Sequence, residues 1–270
     1  MAPIAMDRSR TLPRFHLRAL DLDQEASQRV SPRSLRGKSL TTTLAALAQG
    51  TRLFFENVDP YKVLKESSER VLESLYPTSS SFSAQVPVIR SVLLVLKPMD
   101  GVAYTQSSEL DHQHKEITLS TTYLQSVYEG AGRSAKRLLS EVEGVLTHEL
   151  VHVFQRDGDG SLPGGVTEGV ADWVRNEHKL GPPHWTESPG ADDPWDAGYQ
   201  TTGFFFSWLS KRHALFVPRL NSAMGEGTWQ DGESLRRLLA GADVGVLWDE
   251  YKKSVMAEDH DAPRPVPTHV

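Results

Sequence analysis

The sequence lacks cysteine, which excludes disulfide bonds and thiolate metal ligands. It also lacks an apolar run long enough to cross a membrane, and its first residues contain no continuous apolar segment of the kind found in secretory signal peptides. We therefore expect a cytoplasmic location and no membrane insertion. Any zinc site in this chain must use histidine nitrogens and carboxylate oxygens as ligands.

Clustered positive charge is also lacking. The 270 residues include 29 Lys and Arg against 35 Asp and Glu, which gives a formal net charge of −6. Proteins that bind nucleic acids usually present clustered Lys and Arg to the phosphates, so we expect no nucleic-acid partner. Hydrophobic residues make up 39% of the chain, enough to bury a core. The oligomeric state does not follow from the composition.

Composition divides the chain into three parts. Residues 1–35 are rich in Arg, Ser, Asp and Pro without sustained periodicity, which predicts a disordered arm. Residues 257–270 are charged and rich in proline, which predicts a disordered tail. The intervening residues, 36–256, are expected to form one folded domain that carries the function.

The apolar pattern predicts strands early and helices late. Apolar residues at helical spacing predict a helix over 60–76, while an apolar, β-branched segment over 86–101 and an alternating one over 115–120 predict strands. From Ser134 the pattern predicts a long, buried helix that ends at the DGDG segment, 157–160. Five more helices are predicted, over 166–178, 198–211, 213–224, 232–240 and 244–256. This order predicts an α+β fold with a mainly helical C-terminal part.

The segment EGVLTHELVHVFQ, residues 143–155, contains two histidines four positions apart with a glutamate directly after the first. On a helix, residues i and i+4 lie on one face, so His148 and His152 can direct imidazole nitrogens at one metal ion. Glu149 would then lie beside an activated water without being a ligand itself. This is the HExxH arrangement of zinc peptidases. The alternative is a pair of partly buried histidines on a core helix, each with an ordinary hydrogen-bond partner.

A catalytic zinc site has three protein ligands and one position open for water. Glu168, sixteen residues after His152, is the candidate third ligand, because the DGDG and PGG segments between them favour a turn. Asp172 lies one helical turn further on and is a candidate acceptor for the free N–H of a zinc-bound histidine. The alternative for both acids is a solvated helix face, although their neighbours Val170 and Trp173 are apolar.

Tyr199, in the segment WDAGYQTT, is a candidate hydrogen-bond donor to an oxyanion, because a phenol carries its proton at neutral pH. The alternative is a core aromatic that packs beside Trp195, Phe204 and Trp208, which is the commoner position for such a residue. The sequence pattern leaves both interpretations open.

Taken together, these segments resemble the basic secretory protein family, peptidases of plants and bacteria with a zincin fold and a gluzincin-type HExxH…E site. The similarity is carried by MDGVAYT (99–105), HKEITLS (114–120), EVEGVLTHELVHVFQ (141–155), EGVADWVR (168–175) and WDAGYQTTGFFFSWL (195–209). These segments occur in the expected order and span nearly half of the chain. The resemblance implies a small mixed or antiparallel sheet packed on the HExxH helix, within a catalytic domain over 36–256.

The resemblance also implies roles for individual residues. His148, His152 and Glu168 would bind one Zn²⁺ per chain, and Glu149 would be the general base. The HKEITLS strand would border the active-site cleft, where an extended peptide could add as a further strand. The chain departs from the family's description in two respects, since it is acidic and shows no signal peptide. Cellular location and natural substrate are therefore the two properties for which the family resemblance is the weakest guide.

Three functions fit these residues. The first is zinc-dependent hydrolysis of peptide or protein substrates by a metal-activated water, with Glu149 as general base. The second is a zincin-fold enzyme that acts on a small amide or other carbonyl compound in a biosynthetic pathway. The third is a catalytically silent metal-binding protein of the same fold. The intact Glu149 argues against the third, because replacing this residue is the simplest way to silence such a site.

Overall fold

The computed structural model describes residues 11–20 and 49–261. The chain divides into two compact units between Gln155 and Arg156, and each unit is described by itself. The first contains a four-stranded sheet and helices, whereas the described part of the second contains helices and loops. The predicted α+β class and the mainly helical C-terminal part are confirmed. The catalytic domain predicted over 36–256 includes parts of both units and, as a functional domain, stays a prediction.

The sheet of the first unit is small and mixed, as expected. Its strands are β1 (Arg14–Ala19), β2 (Ser91–Lys97), β3 (Ala103–Ser107) and β4 (His114–Ser120). Their spatial order is β1-β2-β4-β3. Strand β2 pairs in parallel with both β1 and β4, and β3 pairs antiparallel with β4. Strand β3 therefore lies at one edge of the sheet, and the predicted strands over 86–101 and 115–120 lie in its interior.

Strand β1 corrects the prediction of a disordered arm over 1–35. Residues 14–19 pair in parallel with β2, in a register that places Arg14 opposite Ser91 and Ala19 opposite Leu96. The segment RFHLRA alternates polar and apolar side chains, as a half-buried strand does. Its pairing partner lies more than seventy residues further along the chain. The rest of the predicted arm lies outside the described residues, except for positions 11–13 and 20.

Four α-helices accompany the sheet in the described part of the first unit. They are α1 (Gln49–Asn57), α2 (Pro60–Leu75), α3 (Thr121–Gly130) and α4 (Ala135–Phe154), and a short 3₁₀ helix covers Ser81–Gln85. Helix α2 begins at a proline, and the Asp59 side chain accepts hydrogen bonds from the first backbone N–H groups. Ser134 caps α4 by accepting from the Arg137 N–H. The predicted helices over 60–76 and from Ser134 are confirmed, whereas α1 and α3 were not predicted.

Helix α4 is buried over most of its length, which fixes the orientation of the HExxH residues. The Tyr76 hydroxyl donates to the carbonyl oxygen of Phe154 at 2.6 Å, close to the helix end. Two turns before the HExxH residues, the buried Glu141 accepts from the Tyr123 hydroxyl at 2.9 Å and from the Arg137 guanidinium at 2.6 Å. A buried carboxylate needs such partners, because an unpaired charge away from water is costly. These contacts hold α4 in its N-terminal half and at its C-terminal end.

Five helices lie in the described residues of the second unit, 156–261. They are α5 (Gly164–Glu177), α6 (Tyr199–Arg212), α7 (Phe216–Glu226), α8 (Asp231–Leu238) and α9 (Val244–Asp261). All five predicted helices are confirmed with shifted ends. Helix α9 continues to Asp261 and so includes the first five residues of the predicted tail, 257–261. Residues 262–270 lie outside the described residues. None of the helices within 49–261 is both long and apolar enough to cross a membrane.

Helices α5 and α6 pack closely because glycines lie at their contact. A Cβ atom at Gly169 would lie 2.3 Å from Cγ2 of Thr202, and one at Gly203 would lie 3.0 Å from the backbone nitrogen of Trp173. The first distance leaves no room for a methyl group, and the second would require the Trp173 backbone to move by a few tenths of an ångström. The two backbones therefore approach more closely than larger residues would permit. Glu168 immediately precedes Gly169, and this packing therefore sets the position of the Glu168 backbone within the second unit.

We expect Gly169→Ala to destabilise the protein by about 1–3 kcal/mol, because the added methyl group forces the two helices apart. The change is measured as a shift in the midpoint of urea-induced unfolding. Gly164→Ala is the matched control on the same helix, since nothing lies within 4 Å of a Cβ atom there. The control should leave stability unchanged or raise it slightly, because alanine favours helix. Equal effects of the two substitutions would contradict the packing argument.

Candidate active site

The two histidines of the HExxH segment point towards each other, as predicted from their spacing on α4. Their Nε2 atoms lie 3.2 Å apart, and their rings are nearly perpendicular at 83°. The His148 side chain is buried and that of His152 is half-buried. The predicted helical presentation of this pair is therefore confirmed.

The separation of the two nitrogens tests whether they fit a metal ion. Two nitrogens bound to one tetrahedral zinc ion at about 2.0–2.1 Å lie about 3.3–3.4 Å apart. The observed 3.2 Å is close to this value. A hydrogen bond between two neutral imidazoles fits the same distance, and metal analysis distinguishes the two interpretations.

Glu149 is buried, and it contacts the edge strand of the sheet. Its Oε2 atom accepts a hydrogen bond from the Thr105 hydroxyl at 2.7 Å, and its backbone carbonyl oxygen lies 3.1 Å from the same hydroxyl. The expectation that the sheet packs on the HExxH helix is thus confirmed through β3. Thr105 was not predicted as a site residue, although it is the last residue of the MDGVAYT segment.

The HKEITLS strand cannot take up an extended peptide as a further strand, although the resemblance suggested that it could. This strand, β4, is paired on both sides, so it has no free edge for an extended peptide. Its residues His114 and Glu116 line a cleft of about 560 Å³ on one face of the sheet. Glu116 pairs with Gln106, which directly follows Thr105 on β3. Successive side chains on a strand point to opposite faces, so Gln106 and Glu116 lie on the face of the sheet away from Glu149. Among the described strands, the edge nearest to Glu149 belongs to β3.

In the second unit, α5 carries both predicted acids on one face, one helical turn apart. Glu168 is half-buried, and Asp172 has only 3% of its surface exposed. The interpretation of this face as solvated is therefore wrong for Asp172. Tight packing explains the burial, because a Cβ atom at Gly203 would lie 3.2 Å from Cβ of Asp172. The proposed roles of the two acids stay predictions.

Tyr199 is the first residue of α6, and 60% of its surface is exposed. The alternative of a core aromatic is therefore wrong. Its φ angle of 45° follows a φ of 92° at Gly198, so two successive residues adopt left-handed backbone conformations. For a residue other than glycine, such a conformation costs free energy and persists only where the surroundings enforce it.

A hydrogen-bonded loop enforces the conformation of this segment. The Thr202 hydroxyl accepts from the Gly198 N–H at 2.9 Å and donates to the Trp195 carbonyl oxygen at 2.8 Å. These bonds close the turn that presents the Tyr199 side chain at the exposed start of α6. A phenol in this position is accessible to a ligand, and its catalytic role stays a prediction.

A family model described as "Peptidase of plants and bacteria" matches residues 39–251, which include the HExxH helix and the segments that carry Glu168 and Tyr199. No curated protein and no solved structure matches the chain.

Proposed function

Because the chain belongs to the family of peptidases of plants and bacteria, we propose that it hydrolyses peptide bonds with a zinc ion bound by His148, His152 and Glu168. The family assignment makes it a peptidase-type enzyme with peptide or protein substrates. The zinc ion, the zincin-like fold and the roles of individual residues are our proposal. The observation that carries it is the pair of Nε2 atoms 3.2 Å apart, with the carboxylate-bearing Glu149 between the two histidines in sequence.

The chemistry of the donors favours zinc. The three residues offer two imidazole nitrogens and one carboxylate oxygen, which is a common ligand set of catalytic zinc sites. Two imidazoles with a single carboxylate suit zinc better than they suit calcium or magnesium, which prefer oxygen ligands throughout. Asp172, buried one turn beyond Glu168, is the proposed acceptor for a ring N–H of a zinc-binding histidine. Such an acceptor fixes the tautomer and the orientation of the ring.

The proposed reaction is attack of water on the amide carbon. The chemistry that zinc supplies when bound is Lewis acidity, which lowers the pKa of a water molecule towards about 7 and polarises a carbonyl oxygen. Glu149 takes the proton from the attacking water and delivers it to the leaving nitrogen as the C–N bond breaks. Tyr199 donates a hydrogen bond to the oxygen that gains negative charge. The products are a carboxylic acid and an amine.

The free edge of β3 favours a peptide over a small amide as substrate. Strand β3 is paired with β4 alone among the described strands, and its Thr105 contacts Glu149 directly. The backbone N–H and C=O groups on its other side can pair with an extended chain. The proposed peptide-binding edge is therefore one strand away from the one that the resemblance suggested.

We expect the purified protein to contain about one zinc ion per chain and to cleave casein-like proteins in preference to small amides. Removing the metal with a chelator should abolish cleavage, because water without a metal is a poor nucleophile at neutral pH. Metal content is measured by elemental analysis and cleavage by mass spectrometry of peptide products. Readdition of zinc to the stripped protein should restore the activity. Cleavage that persists after complete metal removal would contradict the proposal.

A further inference from the structure

The Thr105 hydroxyl is placed against Glu149 by the sheet. Thr105 lies in the middle of β3 and pairs with Ile117 of β4, whose side chain is fully buried. Antiparallel pairing fixes the direction of each side chain on the strand, and a shift by one residue would turn Thr105 to the opposite face. The hydroxyl reaches Oε2 of Glu149 at 2.7 Å across 44 residues of sequence.

The two side chains differ in their freedom to move. Threonine is branched at Cβ, which restricts its first torsion angle, so its hydroxyl has few positions once the backbone is fixed. Glutamate has three side-chain torsion angles and loses conformational entropy when its carboxylate is held in one place. A hydrogen bond to an ionised acceptor is stronger than one between neutral groups. The rigid Thr105 side chain therefore holds the flexible Glu149 side chain in place.

We propose that Thr105 is a positioning residue for the general base. Its hydroxyl holds Oε2 of Glu149, which leaves Oε1 as the oxygen that takes the proton from water. This inference rests on the proposed function of Glu149 and deepens it, since it makes the edge strand part of the catalytic apparatus. Thr105 itself does not contact the reacting atoms.

The second short distance at Thr105 fits the same role. Its hydroxyl carries one proton and has two acceptors within reach, Oε2 of Glu149 at 2.7 Å and the carbonyl oxygen of the same residue at 3.1 Å. When the carboxylate is ionised, it is the stronger acceptor. Both bonds attach β3 to the same helical residue.

The test compares Thr105→Val with Thr105→Ser in the full-length, zinc-containing protein. Valine keeps the shape and removes the hydroxyl, so we expect kcat to fall about 10- to 100-fold, the effect of losing one hydrogen bond to a charged group. KM and zinc content should stay within about twofold of the wild-type values, because neither substrate nor metal contacts the hydroxyl. Serine restores the hydroxyl and should return kcat to within about threefold of wild type. Thr122→Val, at an exposed position on α3, is the control.

A parallel measurement does not depend on activity. In crystal structures of the two proteins, the Glu149 carboxylate should occupy one position in the wild type and move or spread over several rotamers in Thr105→Val. An unchanged carboxylate in the valine variant would overturn the inference, as would an unchanged kcat in an active enzyme. Absence of cleavage by the wild-type protein would instead contradict the proposed function, and the pair of crystal structures would then decide the role of Thr105 alone.

Discussion

Replacing Glu149 by glutamine is expected to reduce peptide cleavage by about 1,000-fold or more while leaving the zinc content at about one ion per chain. Glutamine has nearly the same shape as glutamate, but its amide cannot accept a proton from water at neutral pH. General-base catalysis contributes about 10²- to 10⁴-fold, and this contribution is lost entirely. Because Glu149 is not a proposed ligand, the metal should stay bound.

The structure also indicates that this variant should fold. In the wild type, the Thr105 hydroxyl donates to Oε2 of Glu149 at 2.7 Å. The amide oxygen of glutamine can accept the same hydrogen bond in the variant. The contact between β3 and α4 is therefore preserved, and the thermal unfolding midpoint should stay within a few degrees of wild type. Loss of activity then reports on proton transfer and not on folding.

Glu143→Gln is the matched control for this prediction. Glu143 lies on the same helix, is half-buried and precedes the HExxH residues, so the substitution makes the same chemical change outside the proposed site. It should leave both kcat/KM and zinc content unchanged. Cleavage by Glu149→Gln at the wild-type rate, with zinc present, would contradict the assignment of Glu149 as general base.

Local patterns were sufficient to predict most helices and the two interior strands. Helix α2 has a capping aspartate, a proline at its start and apolar residues at helical spacing, all within the segment itself. Strands β2 and β4 are continuously apolar or alternating. The direction of His148 and His152 also follows from local geometry, because a spacing of four residues on any helix gives the same result.

Contacts between distant segments account for what the sequence did not predict. Strand β1 alternates in the required way, but it lies among arginines and prolines, and its partner β2 is remote in sequence. Strand β3, AYTQS, has little apolar character and is extended because β4 pairs with it. Without β3, the sequence provides no reason to place Thr105 beside Glu149, and HKEITLS is mistaken for the edge.

The solvent exposure of individual side chains also could not be predicted from the sequence alone. Aromatic residues surround Tyr199 in sequence, and composition alone favours a core position for it. The left-handed conformation at Gly198 and Tyr199 directs the phenol outwards instead. Asp172 is the reverse case, because charged residues are usually exposed but the close approach of α6 buries this one, in agreement with its apolar neighbours in sequence.

Removing a proposed zinc ligand is the second prediction with a large expected effect. His152→Ala should lower bound zinc to below about 0.1 ion per chain and abolish cleavage, because the two remaining protein ligands do not complete a catalytic site. The Nε2 of His148 lies 3.2 Å from that of His152, so both nitrogens are proposed ligands of one ion. Replacing either histidine by alanine should therefore have the same effect on bound zinc. His184→Ala, at an exposed loop position of the second unit, is the control and should retain zinc and activity.

Zinc content also tests the third proposed ligand, Glu168 on α5, separately from the two histidines. Glu168→Ala should lose zinc as His152→Ala does, whereas Glu177→Ala, at the exposed end of the same helix, should retain it. If His148→Ala and His152→Ala lose zinc and Glu168→Ala retains it, the metal is held by α4 together with another ligand. The HExxH…E assignment would then be wrong, and the metal site on α4 would stand. If none of the three variants changes the zinc content, the 3.2 Å contact is a hydrogen bond between imidazoles. The proposed zinc site at the HExxH helix would then be wrong, and any zinc in the protein would be bound elsewhere.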